Sequence, residues 1–142
     1  KKNEILDVGC GSGYSSIIFG KFFKFIVSVE EDITLVKIFH EYLKTNKIKN
    51  CQVLNIKFNE IKLEKKFDHI FINGAINQFP LYLTKYLNKD GKIYSIYTDN
   101  EFPSYFCKFT HKNNNEYEKT QLFEASAPLL YNLKSNRAKF IL

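Results

Sequence analysis

Short apolar runs alternate with polar stretches along the first hundred residues, and their spacing is typical of strands joined by helices. Five strands are predicted at residues 5–8, 25–29, 51–56, 67–72 and 92–97. Helices are predicted between them at residues 14–23, 33–44 and 80–87, and Asp32 is placed to cap the second helix. The connection at residues 59–66 leaves room for about two helical turns.

The alternation of strands and helices stops after the fifth predicted strand. Residues 104–110 and 117–123 alternate between apolar and polar side chains on either side of a polar turn, which is typical of a hairpin. These elements together predict an α/β fold: a Rossmann-like sheet, mostly parallel, with an antiparallel C-terminal strand pair. The sequence contains no repeat or low-complexity linker, so residues 1–142 are expected to form a single domain.

Three glycines follow the first predicted strand, at Gly9, Gly11 and Gly13, and Glu30 ends the second. A strand that runs into glycines, then a helix, then a strand that ends in an acid is the pattern of a nucleotide-binding βαβ unit. Glycine lets the backbone turn with positive φ and lets a ligand approach without meeting a Cβ atom. We expect Glu30 to accept hydrogen bonds from both ribose hydroxyls of the ligand.

The spacing of the glycines indicates which class of nucleotide the loop binds. In the dinucleotide loop G-x-G-x-x-G/A, the third small residue allows close helix packing, but this chain has Tyr14 there. No Gly-Lys-Ser/Thr follows the glycines, so the loop is not a P-loop. The remaining D-x-G-x-G-x-G pattern, which begins at Asp7, resembles motif I of S-adenosylmethionine-dependent methyltransferases. This resemblance implies S-adenosyl-L-methionine as the cofactor, with Asp7 near its amino-acid end.

Several further segments resemble the protein-L-isoaspartate O-methyltransferase family. They are motif I at residues 5–16, Val-Ser-Val-Glu at 27–30, Phe-Asp-His-Ile-Phe-Ile-Asn-Gly-Ala at 67–75 and the Pro-Leu-Leu tail at 122–130. The resemblance implies methyl transfer to the carboxylate of L-isoaspartyl residues in damaged proteins, which begins their repair. In that family the residues that hold the substrate lie upstream of motif I. The chain is therefore expected to be N-terminally incomplete and to lack that substrate-binding segment.

The resemblance also implies the site. The expected cofactor-binding residues are Asp7, Gly9, Cys10, Gly11, Gly13, Tyr14, Glu30, Phe58 and Asn73. The family often has an acid after the third strand, where this chain has Ile-Lys-Phe, so adenine recognition would depend on backbone groups and on stacking against Phe58. Asn73 follows the fourth strand, where residues of this fold face the transferred methyl group. A carboxylate acceptor is already nucleophilic at neutral pH, so no catalytic residue is predicted.

Two alternatives remain open for the function. The same cofactor site would serve a methyltransferase that acts on another acceptor, RNA or a small molecule. It would also serve a catalytically degenerate paralogue that binds the cofactor and acts through a partner. No Asp/Asn-Pro-Pro-Tyr/Phe follows the fourth predicted strand, which argues against methylation of an amino group on a nucleobase.

Composition adds little to this interpretation. The net charge is +6, but Arg137 is the only arginine, and scattered lysines do not favour a nucleic-acid partner. The three cysteines and three histidines show no metal-binding spacing, so no metal is expected. No apolar stretch approaches the length of a bilayer span, so no membrane partner is expected. We expect a cytoplasmic monomer whose partners are damaged proteins or peptides.

Overall fold

The computed structural model describes residues 3–99, 103–112, 116–130 and 140–141. The described strands are β1 (Glu4–Val8), β2 (Phe25–Glu30), β3 (Cys51–Asn55), β4 (Phe67–Ile76), β5 (Leu87–Tyr97), β6 (Tyr105–His111), β7 (Tyr117–Glu124) and β8 (Phe140–Ile141). The helices are α1 (Tyr14–Phe19) and α2 (Ile33–Thr45), with 3₁₀ helices at Phe58–Glu60 and Leu81–Tyr86. No helix in these ranges is long and apolar enough to cross a membrane.

All eight described strands form one sheet in the order β3-β2-β1-β4-β5-β6-β7-β8. Strands β1 to β5 run parallel to one another, and β6 runs antiparallel to both β5 and β7. This arrangement confirms the predicted α/β Rossmann-like sheet with antiparallel strands at its C-terminal end. The carboxyl ends of β1, β2 and β4 meet at one edge of the sheet, which is where open α/β sheets bind ligands.

The two α-helices begin where the sequence predicted. Asp32 caps α2, because its carboxylate accepts the backbone N–H groups of Thr34 at 2.7 Å and Leu35 at 3.4 Å. Helix α1 ends at Phe19 and not at residue 23 as expected. The backbone N–H of Gly20 donates to the carbonyl oxygen of Ser16. The N–H groups of Lys21 and Phe22 then donate to carbonyl oxygens three residues earlier, as in a 3₁₀ turn. Glycine is a poor helix former, which is consistent with the early end of the helix.

Two predicted turns lie inside strands. The Asn-Gly-Ala segment at 73–75 was expected to close the fourth strand, but β4 continues to Ile76. Ala75 pairs with Ile96 after a register shift and also bridges Leu129, so backbone partners on both sides hold the segment extended. The turn expected at 89–91 likewise lies within β5, as a bulge at which Asp90 has φ 67°. The helix predicted at 80–87 is a 3₁₀ helix.

The core consists of two apolar clusters. The larger one packs the 3₁₀ helix residues Leu83 and Tyr86 against the sheet, with Ile70, Ile93 and Phe109 among its buried members. The smaller cluster lies beneath α1 and α2, and its buried members include Ile5, Ile26, Phe39 and Leu43. The second cluster therefore sets the position of both helices that flank the glycine-rich loop.

Candidate cofactor site

The glycine-rich loop turns sharply from β1 into α1. Gly9, Gly11 and Gly13 have φ values of 78°, 57° and 94°, in the left-handed region that side chains disfavour. The N–H groups of Gly9 and Cys10 donate to the carbonyl oxygen of Val29 at 2.8 and 3.3 Å, which ties the loop to β2. A Cβ atom on Gly13 would lie 2.2 Å from the ring of Phe39. Glycine is therefore required at position 13 for packing as well as for its backbone conformation.

Gly11 has a different environment from its neighbours. A Cβ atom there would meet no atom of the described residues within 4 Å, so this part of the structure leaves open space at Gly11. The N–H of Gly11 donates to Oε2 of Glu30 at 2.9 Å. The loop thus offers a ligand room beside the acid that ends β2.

Glu30 is nearly buried, with 8% of its surface exposed, and its carboxylate already accepts three backbone N–H groups. Oε2 accepts Gly11, and Oε1 accepts Glu31 at 2.8 Å and Asp32 at 3.1 Å. A carboxylate offers about four lone-pair sites, so about one remains for a ribose hydroxyl. Binding of both ribose hydroxyls, as the sequence predicted, would require a backbone donor to give way. Glu30 also holds the glycine loop against the turn after β2, a role that the sequence did not predict.

Asp7 is fully buried at the end of β1. Its Oδ2 accepts the hydroxyls of Ser15 at 2.7 Å and Ser16 at 2.6 Å, while Oδ1 has no hydrogen-bond partner among the described residues. Burial raises the pKa of this carboxyl from 3.8 to about 6, against the opposing effect of the two serine hydroxyls. An unpartnered buried acceptor beside the loop suits an ammonium group, directly or through water.

A chain of polar side chains extends from Asp7 in both directions. On the buried side, Ser16 bonds to Ser28 at 2.8 Å, and Ser28 contacts the thiol of Cys51 at 3.6 Å. On the exposed side, the side-chain N–H of Asn73 donates to the hydroxyl of Ser15 at 2.9 Å. No role was predicted for these serines, although two hydroxyls that begin a helix close to a buried acid are a detectable signal. The structure thus joins Asp7 and Asn73, two of the predicted site residues, through Ser15.

The side chains of two predicted site residues are buried, and the side chain of a third is exposed. Phe58 is 5% exposed and belongs to the larger core cluster, so its ring offers little surface for adenine stacking. Its backbone N–H donates to Glu31 at 2.7 Å. The Cys10 side chain lies in the smaller cluster, and burial raises the pKa of its thiol. Tyr14 is 79% exposed at the start of α1.

The C-terminal tail covers one side of the loop. The N–H of Leu130 donates to Ala75 at 3.0 Å, which lays the tail along the end of β4. Cβ atoms on Gly74 and Gly9 would lie 2.6 Å and 3.2 Å from the side chain of Leu130. The Pro-Leu-Leu segment at 128–130 therefore packs against the end of β4 and against Gly9 in the loop.

Comparison with known families identifies the domain. Residues 1–138 match the family described as a methyltransferase domain. The chain belongs to this methyltransferase family. Its cofactor is S-adenosyl-L-methionine, and the open space at Gly11, the unpartnered oxygen of Asp7 and the remaining acceptor capacity of Glu30 fit that molecule.

Curated relatives resemble parts of the methyltransferase domain. The cobalt-precorrin-6B C(15)-methyltransferase (decarboxylating) of Methanocaldococcus jannaschii is 29% identical over 77 residues, which are 54% of this chain and 42% of that protein. The ribosomal protein L11 methyltransferase of Acetivibrio thermocellus is 34% identical over 92 residues, 62% of this chain and 29% of that protein. The chain spans less than half the length of either relative.

Solved structures share the fold of the methyltransferase domain. A protein-L-isoaspartate O-methyltransferase superposes with a TM-score of 0.82 at 17% identity, over 94% of this chain and 44% of that one. A Plasmodium falciparum protein named for the same activity, crystallised with S-adenosyl-L-homocysteine, gives 0.69 at 22% identity, over 94% of this chain and 66% of that one. Coclaurine N-methyltransferase gives 0.57 at 17% identity, over 67% of this chain and 31% of that one. Within its described residues, the methyltransferase domain contains no group of three or more His, Cys, Asp or Glu side chains arranged to hold a metal.

Proposed function

We propose that this methyltransferase transfers the methyl group of S-adenosyl-L-methionine to the carboxylate of L-isoaspartyl residues in damaged proteins and peptides. The observation that carries the proposal is the extent of the structural likeness. The two structures named for isoaspartate methylation superpose over 94% of the chain, whereas coclaurine N-methyltransferase superposes over 67%. The packing of the Pro-Leu-Leu tail on the cofactor loop adds support, because this tail and the Asn-Gly-Ala segment together are the specific part of the sequence resemblance.

The proposed chemistry requires positioning more than proton transfer. The cofactor supplies an electrophilic methyl group on a sulfonium, and an ionised carboxylate is a competent nucleophile without a general base. The glycine loop, Glu30 and Asp7 would hold the two ends of the cofactor. Asn73 is exposed in the second half of β4, beside the loop, where it can meet an acceptor. Leu130 packs against Gly9 in the loop, and exclusion of water on this side would strengthen the polar contacts of the bound cofactor.

A small-molecule acceptor is the second candidate. The sequence likeness to cobalt-precorrin methyltransferases favours it, since these relatives reach 33% identity over 73 residues. The likeness covers 51% of this chain, so it concerns about half of the domain. The two candidates differ in the acceptor and share the cofactor site.

Methylation of matched peptides tests the proposal. The protein is incubated with methyl-labelled S-adenosyl-L-methionine and a peptide that contains L-isoaspartate, with the same peptide carrying ordinary aspartate as the control. We expect label in the isoaspartyl peptide alone, released as methanol at alkaline pH because the product is an ester. Alkali-stable label, or transfer to a small-molecule acceptor with none to the peptide, would refute isoaspartate methylation. Cofactor binding without transfer to any acceptor would indicate a catalytically degenerate paralogue.

The state of the cysteines bears on the cellular compartment in which the enzyme acts. All three cysteines are free and buried, which supports a reducing compartment such as the cytoplasm. We propose that the enzyme acts there as a monomer on exposed segments of damaged proteins. Light scattering at micromolar concentration would return twice the mass of one chain if it forms dimers instead.

A further inference from the structure

Two hydrogen bonds connect the surface of the site with its most buried carboxylate. The Nδ2 group of Asn73 donates to Oγ of Ser15 at 2.9 Å, and the Ser15 hydroxyl donates to Oδ2 of Asp7 at 2.7 Å. Asn73 is exposed, Ser15 is half-buried and Asp7 is fully buried. Among the described residues, only Ser15 has a side chain that hydrogen-bonds to both Asp7 and Asn73.

The single hydroxyl hydrogen of Ser15 fixes the direction of this chain. Because the ionised carboxylate of Asp7 takes that hydrogen, the Ser15 oxygen can only accept a second hydrogen bond. The amide of Asn73 must therefore turn its Nδ2 group towards Ser15 and its Oδ1 atom away. In the flipped amide, two oxygens without a hydrogen would face each other. The serine thus decides which end of the Asn73 amide lies next to the loop.

We propose that Ser15 is a positioning residue, which holds Asn73 so that its second Nδ2 hydrogen donates to one oxygen of the acceptor carboxylate. This proposal rests on the proposed carboxylate acceptor. The contact leaves the other carboxylate oxygen free to attack the methyl group. It also gives the site a means to recognise a carboxylate without a cationic side chain.

Ser16 provides a matched control. Its hydroxyl donates to the same Oδ2 atom of Asp7, at 2.6 Å, but its other recorded partner is the buried Ser28 and not Asn73. Ser16→Ala therefore removes one hydrogen bond from Asp7 while the contact between Ser15 and Asn73 stays. A comparison of the two alanine variants separates support of Asp7 from orientation of Asn73.

Steady-state kinetics on the isoaspartyl peptide test the functional consequence. We expect Ser15→Ala to raise the peptide KM about tenfold, as the loss of one oriented hydrogen bond predicts, with kcat and cofactor affinity within about threefold of wild type. Ser15→Thr keeps the hydroxyl and should restore KM. Asn73→Asp should raise KM at least as much, because it places a negative charge beside the acceptor. A Ser15→Ala enzyme with unchanged KM, or a Ser16→Ala enzyme with the same increase, would overturn the proposal.

Hydrogen exchange of the Asn73 side chain tests the orientation without any acceptor. In the protein bound to S-adenosyl-L-homocysteine, NMR should show one Nδ2 hydrogen exchanging more slowly than the other, with signals assigned by their loss in Asn73→Ala. Ser15→Ala should remove this difference, and Ser16→Ala should retain it. If Ser15→Ala leaves the exchange unchanged, the positioning role is wrong even when the peptide is methylated. If wild type does not methylate the peptide, the proposed function and the carboxylate contact fail, whereas the exchange result still decides the role of Ser15.

Discussion

At the scale of single residues, Asp7 combines complete burial with a hydrogen-bond deficit. The two serine hydroxyls satisfy Oδ2, and Oδ1 has no hydrogen-bond partner within the part of the chain that the structure describes. Its raised pKa reflects the free energy needed to keep a negative charge away from water. The protein retains this charge at neutral pH at the expense of stability, which is typical of a site arranged for a ligand.

The raised pKa of Asp7 predicts how stability depends on pH. The folded state binds this proton more tightly than the unfolded state, so the contribution of Asp7 is fully present below about pH 4 and is lost as pH rises through about 6. A difference of about two pKa units corresponds to about 3 kcal/mol. We therefore expect Asp7→Asn to gain stability relative to wild type by up to about that amount between pH 4 and pH 7. Urea unfolding without cofactor measures it, and a difference that does not change with pH would contradict the raised pKa.

Substitutions at Gly11 and Gly13 should affect different properties. The first should weaken ligand binding, and the second should destabilise the fold. Asparagine tolerates the left-handed conformation, so Gly11→Asn should change the free energy of unfolding by less than about 1 kcal/mol. Its side chain would enter the open space beside the loop, so affinity for S-adenosyl-L-homocysteine should fall at least about tenfold. Gly13→Ala should cost about 3 kcal/mol of stability, because its Cβ would overlap the Phe39 ring. Calorimetric titration measures the affinity of both variants, and urea unfolding measures their stability. Unchanged affinity in Gly11→Asn would show that the ligand does not occupy the space at Gly11.

At the scale of elements, the C-terminal tail and β4 depend on each other through a close contact. Leu130 fills the space above Gly74, where a Cβ atom would come within 2.6 Å of it. Gly74→Ala should therefore destabilise the fold by about 1–3 kcal/mol, because the tail must move. Leu130→Ala removes the clash, so the double variant should be more stable than the sum of the single effects predicts, by about 1 kcal/mol or more. Urea unfolding of the four proteins gives this coupling energy, and additive effects would show that the tail does not rest on Gly74.

The exposed Leu122 on β7 supplies a control for the tail. It is 46% exposed, so Leu122→Ala should change stability by less than about 1 kcal/mol and should show no coupling to Gly74→Ala. Both residues are leucines, but only Leu130 packs against Gly74. Coupling at Leu122 as well would indicate a general effect of shortening side chains near the C-terminus.

At the scale of the whole molecule, the sequence predicted the order of elements better than their ends. Hydrophobic periodicity identifies β1 to β5 and α2, because their buried faces repeat at strand or helix spacing. The end of β4 could not be found in this way. Its Asn-Gly-Ala residues favour a turn, yet pairing of Ala75 with β5 and with the distant tail keeps them extended. Such long-range pairing leaves no local trace in the sequence.

The same difference applies to the site. The glycines and Glu30 could be identified because their spacing follows a recurrent motif. The burial of Phe58 and the link between Asp7 and Asn73 could not, since they depend on how β3 and β4 pack beside the loop. The position of Ser15 becomes informative only when the fold brings Asn73 next to it.

The contact between Gly13 and Phe39 implies an order of events as the chain folds. The ring that occupies the missing Cβ space is that of Phe39 in α2, 26 positions after Gly13, so the loop lacks this packing contact until α2 has docked. Helix α1 cannot form a stable helix alone, since it has only six residues. During synthesis, the ability to bind a ligand should therefore arise only after residues beyond Thr45 have left the ribosome. Until then, the glycine-rich loop of the nascent chain lacks the contact that holds Gly13 in place.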